Sequence, residues 1–95
     1  MTESAPPFNP FTGTTRARLL LLAGLLLKRQ TVSDSSIRCV LSNGEGVSQG
    51  YAESHVTELR RQLPSGVLVL RERGVGYYVN DKAKLAAFLR GEVAR

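Results

Sequence analysis

Residues 51–79 read YAESHVTELRRQLPSGVLVLRERGVGYYV, and the hydrophobic period changes partway along this stretch. Up to Leu63 the apolar positions Ala52, Val56, Leu59 and Leu63 fall at helical spacing, with Ser54, Thr57, Glu58 and Arg61 on the opposite side. Pro64-Ser65-Gly66 stops that pattern. Val67 to Arg71 is β-branched and aliphatic, which suits a strand, and Tyr77-Tyr78-Val79 suits a second. Between them, Arg73-Gly74-Val75-Gly76 carries two glycines able to take the positive φ of a tight hairpin. The stretch therefore predicts a helix from about 48–51 to Leu63, followed by a β-hairpin.

Upstream, Gly44, Gly46 and Gly50 mark 43–50 as a loop. Ser33 has the chemistry of a helix N-cap, with Asp34 in the first turn and Ile37, Val40 and Leu41 following at helical spacing. Before it, Thr14 or Thr15 caps a helix running to about Arg29, with Lys28 and Arg29 at its negative end. Its middle, Leu19 to Leu27, is apolar on every side and must be covered on more than one face. Residues 1–13 hold Pro6, Pro7 and Pro10 and read as a flexible or extended tail that Phe8 and Phe11 can pin to the fold. Downstream, Asn80 or Asp81 caps a last helix to about Glu92, with Leu85, Phe88 and Leu89 on one face. The boundaries are a tail over 1–13, a domain over 14–80 and a C-terminal helix over 81–95. Three helices, a hairpin and a fourth helix form an α+β arrangement, and this order is that of a winged helix-turn-helix, with the third helix for the major groove and the hairpin as wing.

Composition narrows the function. The chain has 95 residues, room for one small core. Lys and Arg number 13 against 8 Asp and Glu, a net charge of +5 that favours polyanionic partners. A single cysteine, Cys39, excludes an internal disulfide and multi-cysteine zinc sites, and points to a reducing, cytoplasmic setting; it reads as a buried small hydrophobe. The apolar run from Leu19 to Leu27 falls well short of the roughly 20 residues of a spanning helix, and Lys28-Arg29-Gln30 is no signal-peptide cleavage site. No membrane association, metal or cofactor is expected. No arrangement of acid, base and nucleophile stands out, so the chain does not read as an enzyme.

Two segments resemble the output domain of OmpR-type response regulators. Ala52-Glu53-Ser54-His55-Val56-Thr57-Glu58-Leu59-Arg60-Arg61-Gln62-Leu63 is similar to that family's recognition helix, V-D-V-H-I-S-R-L-R-R-K-L. Leu70-Arg71-Glu72-Arg73-Gly74-Val75-Gly76-Tyr77 is similar to its wing motif, I-x-T-V-R-G-x-G-Y, and Val32-Ser33 matches the start of its V-S-R-E-x-L. The likeness spans about residues 18–80. It implies a stand-alone DNA-binding domain without a receiver domain, of a size that suits phages and mobile elements. The family domain opens with a small antiparallel sheet that thirteen tail residues cannot supply. Glu58 replaces the usual arginine.

Reach and charge assign the contacts. Arg60, Arg71 and His55 are placed for phosphates. Ser54, Thr57 and Arg61 are placed for base edges, Arg61 best at guanine, while Glu58 repels phosphate but accepts from cytosine N4. Arg73 at the hairpin tip suits a narrow minor groove. Tyr77 offers a hydroxyl to the backbone, or packs its ring beneath the hairpin. The expected function is a transcriptional regulator binding double-stranded DNA in a sequence-specific way. Two alternatives remain: a protein–protein module docking on RNA polymerase or another regulator, favoured by Glu53, Glu58 and Glu72, and an excisionase-like architectural DNA binder. The all-round leucines of the first helix raise either a homodimer or a C-terminal helix folded back on it.

Overall fold

The computed structural model describes residues 8–42 and 49–93. It is an α+β arrangement of four helices and a two-stranded antiparallel hairpin: α1 (Arg16–Lys28), α2 (Asp34–Leu41), α3 (Gln49–Gln62), β1 (Val69–Glu72), β2 (Gly76–Val79) and α4 (Lys82–Leu89). Most of the loop expected over 43–50 lies outside the described residues. No helix of the described residues is long and apolar enough to cross a membrane.

Capping explains where the elements start and stop. Ser33 caps α2 by accepting from the Ser36 amide, and Asp81 caps α4 by accepting from the Lys84 amide. Thr15 sits at the N-cap of α1, but its side chain makes no capping bond. The last helix ends at Leu89, short of the expected Glu92. Gly91, at φ +83°, takes the left-handed position, and the Glu92 amide donates back to the Ala87 carbonyl as a Schellman stop requires.

Leu19, Leu22, Ala23 and Leu26 form the fully buried stripe of α1. Around them gather Ile37 and Leu41 of α2, Ala52, Val56 and Leu59 of α3, and Val69, Tyr77 and Val79 of the hairpin. Helix α4 packs back on α1 through Leu85 and Phe88, and Lys82 Nζ donates to the Arg29 carbonyl at 2.8 Å. Phe11 completes this side, its ring edge-on to Phe88 at 5.6 Å. Residues 9–12 are tied down as well. The Thr12 amide donates to Gln62 Oε1, Gln62 Nε2 donates to the Thr12 carbonyl, and Asn9 Nδ2 donates to the Arg16 carbonyl. Phe8, by contrast, is largely exposed.

The hairpin runs in register Val69↔Val79 to Glu72↔Gly76. The turn bond joins the Val75 amide to the Glu72 carbonyl, with Gly74 at φ +78° in the position that demands a positive φ. Tyr77 and Val32 exchange both backbone bonds at 2.8 Å, so Val32 adds a one-residue rung to the outer edge of β2. No local pattern in the sequence points to this rung, because Val32 and Tyr77 are remote along the chain. Cys39 is a correction: it is exposed, not buried. It stands two residues from both Ile37 and Leu41, and 200° of helical rotation puts it on the opposite face of α2.

Candidate nucleic-acid interface

Helix α3 buries Ala52, Val56 and Leu59 and leaves Gly50, Glu53, Ser54, Thr57, Arg60 and Arg61 exposed. Ser54, Thr57 and Arg61 therefore share an outward ridge at i, i+3, i+7 spacing, as the sequence predicts. Two arginines stand at the junction of this helix and the hairpin. Arg60 Nε donates to the Val69 carbonyl at 3.0 Å, and Arg71 approaches Glu53 Oε2 at 3.7 Å. Both guanidinium groups lie over the Tyr77 ring, at 6.0 Å for Arg60 and 5.4 Å for Arg71. Arg73 stands exposed on the hairpin turn. Arg60, Arg61, Arg71 and Arg73 are thus all exposed on the helix and hairpin, and Arg60 and Arg71 meet at their junction.

One expected contact is placed otherwise, and Tyr77 takes the second of its two expected places. His55 is only 6% exposed. Its Nδ1 lies 2.8 Å from the Tyr51 carbonyl one turn back, and a carbonyl only accepts, so that nitrogen carries the proton. The other ring nitrogen, Nε2, is buried without a hydrogen-bond partner. The imidazole also packs on the Tyr51 ring at 4.5 Å between centroids. His55 is thus an inward-facing residue, not the phosphate contact expected, because it lies one turn from Tyr51 and Leu59 on the side of α3 turned to the core. Tyr77 is buried too, and its ring packs beneath the hairpin as a platform for the two arginines. Burial raises its phenol pKa above the ordinary value; Arg71 opposes this, while Asp34 and Glu53 add to it.

Glu58 is held on both oxygens. Arg61 Nη1 donates to Oε1 at 2.9 Å and Gln62 Nε2 to Oε2 at 2.7 Å, so Glu58 supports the residue that anchors the tail. Beside it, Thr12 to Thr15, Ser54, His55 and Glu58 enclose an open cleft of about 310 Å³. A second depression of about 240 Å³ separates the start of α2, with Ser33 and Asp34, from the hairpin residues Arg71 and Tyr77.

Two further residues join this surface: Arg18, which no motif marks, and Glu53, which the sequence marks only toward a protein partner. Arg18 of α1 reaches over the Tyr51 ring at 5.9 Å and extends the basic surface past the start of α3. Glu53 meets Arg71 across the helix–hairpin junction. The charge of Glu53 and its place beside Ser54 on the outward side of α3 are legible in the sequence; its partner is remote along the chain. No protein-family model matches this chain, and no curated protein or solved structure matches it significantly.

Proposed function

We propose that this chain is a winged helix-turn-helix protein that binds double-stranded DNA in a sequence-specific way and regulates transcription. On this reading α3 enters the major groove and the hairpin reaches the adjacent minor groove. The observation that carries it is the junction of α3 and the hairpin, where Arg60 and Arg71 converge on Tyr77 beside the outward ridge of Ser54, Thr57 and Arg61. Ser54 and Thr57 are small and polar, so this face of the helix can approach base edges closely. Arginines on both sides of it can reach the flanking phosphates. The net charge of +5 supplies long-range attraction to a polyanion.

A second reading has its own support. Glu53 and Glu58 each stand against an arginine of this face, which partly neutralises it, and Leu68 and Val75 of the hairpin region are exposed apolar groups. Those features suit a winged-helix module docking on a protein such as RNA polymerase. Gel-shift titration with genomic fragments over a salt series separates the two. Affinity falling steeply and linearly with log salt supports phosphate binding; absent or salt-insensitive binding supports the protein partner.

A further inference from the structure

Two carboxylates flank the outward ridge of α3, and they are held differently. Glu58 is hydrogen-bonded on both oxygens and fixed to the tail anchor. Glu53 faces Arg71 at 3.7 Å, beyond hydrogen-bond distance, with both side chains about half exposed. A loose pair in contact with water contributes little to the fold and is easily exchanged. Arg71, meanwhile, is carried over the buried Tyr77 ring, and the Tyr77 backbone is held by paired bonds to Val32. The guanidinium therefore sits on a rigid platform facing a carboxylate it can leave.

We propose that Glu53 is a specificity-determining residue for duplex DNA, acting through this exchangeable pair. The inference rests on the DNA-binding reading above. A backbone phosphate competes with Glu53 for Arg71 and offers bidentate, charge-assisted bonds in its place. Once Arg71 turns to the phosphate, the Glu53 carboxylate has lost its cation beside the groove. It has acceptors only, and phosphates repel it. The groups in a major groove that satisfy it are exocyclic amines, cytosine N4 first and adenine N6 second. A base presenting an amine there lets Arg71 move to the backbone without stranding the carboxylate. Guanine O6 or thymine O4 sets acceptor against acceptor, so the pair stays closed and one phosphate contact is forfeited. Base choice and phosphate binding are linked at one residue.

The test begins with duplexes selected from a random library by the wild-type chain. Wild type, Glu53→Ala, Glu53→Gln and the double variant Glu53→Ala/Arg71→Ala are then titrated on selected and random duplex across a salt series. Wild-type selection returns an amine-bearing base, cytosine or adenine, at one position. Glu53→Ala relaxes that position and lowers the selected-to-random affinity ratio about fivefold or more. It also steepens the random-duplex log–log salt slope by about 0.9, one phosphate's worth, and the double variant loses that increment. Glu53→Gln moves the preference toward adenine, whose edge an amide bonds bidentately. If wild type binds duplex but Glu53→Ala changes neither slope nor base preference, the role of Glu53 is overturned and the DNA reading stands. If wild type shows no salt-sensitive duplex binding, both are overturned.

Discussion

A side chain at Gly76 would drive its Cβ into the Val32 carbonyl and the Ser33 backbone, at a φ of +146° that L-residues rarely adopt. The glycine pair in Arg73-Gly74-Val75-Gly76 was legible as hairpin chemistry, and Gly74 fits that reason. The second glycine has another cause, the close approach of Val32, which belongs to a distant segment and leaves no local signal. Gly76→Ala should therefore destabilise the fold by roughly 2–4 kcal/mol, from strain plus overlap, while Gly74→Ala meets open space and pays only for its φ. Urea melts of the two variants check the order. Tyr77, the next residue, predicts a pH effect. Its folded pKa is raised, so its contribution is fully present below about pH 10, where the unfolded phenol begins to ionise, and is lost as pH rises through the folded value. Tyr77→Phe should flatten this alkaline loss of stability. An unchanged alkaline limb in the variant would assign the loss to other groups. His55 shows a local signal outweighed by the motif likeness: it stands three residues after Ala52 and four before Leu59, on the buried stripe of α3, and its ring packs on Tyr51.

At the level of elements, the helices and hairpin were legible because each has its own period and punctuation. Ser33 and Asp81 cap, Pro64 to Gly66 breaks, and the apolar residues of α3 repeat on one face. The segment before α1 was harder, since its prolines argue for a tail while its order comes from partners far along the chain. Phe11 is 2% exposed against Phe88, and Thr12 shares three hydrogen bonds with Gln62. Phe11→Ala should then cost about 3–5 kcal/mol, a core-sized loss, in chemical denaturation. A loss under 1 kcal/mol would make residues 9–12 an ornament on the domain. The outward elements carry the functional prediction. Arg61 on the α3 ridge and Arg73 on the hairpin turn are both exposed, so alanine at either should leave the melting curve unchanged and weaken specific DNA binding by about 1–3 kcal/mol. Arg61→Ala should also relax preference at one base pair, whereas Arg73→Ala should reduce affinity most on A·T-rich flanks. Wild-type affinity in both variants at physiological salt would move the contact surface elsewhere.

For the whole molecule, the open question in the sequence was what covers the leucines of α1. Periodicity could not answer it, because a helix apolar on every side gives no direction. The chain supplies the cover itself. Leu85 and Phe88 of α4, Phe11 and the hairpin close over Leu19, Leu22 and Leu26, and Lys82 ties α4 to the C-terminal end of α1. Leu20, Leu25 and Leu27 are half-buried around this core, and Leu21 is the exposed leucine of α1 at 52%. One such side chain is an ordinary surface feature and falls far below the several hundred Å² of apolar patch that marks an interface. A dimer through α1 would therefore have little exposed apolar surface on that helix to bury, and a folded monomer is the expected species. Sedimentation at micromolar concentration should return a mass near 10.4 kDa. Leu21→Glu should leave both that mass and the melting midpoint nearly unchanged, whereas Leu85→Ala should lower stability by about 2–5 kcal/mol by opening a cavity over α1. A 20 kDa wild-type species that Leu21→Glu converts to monomer would show instead that the outer face of α1 is the contact between two copies.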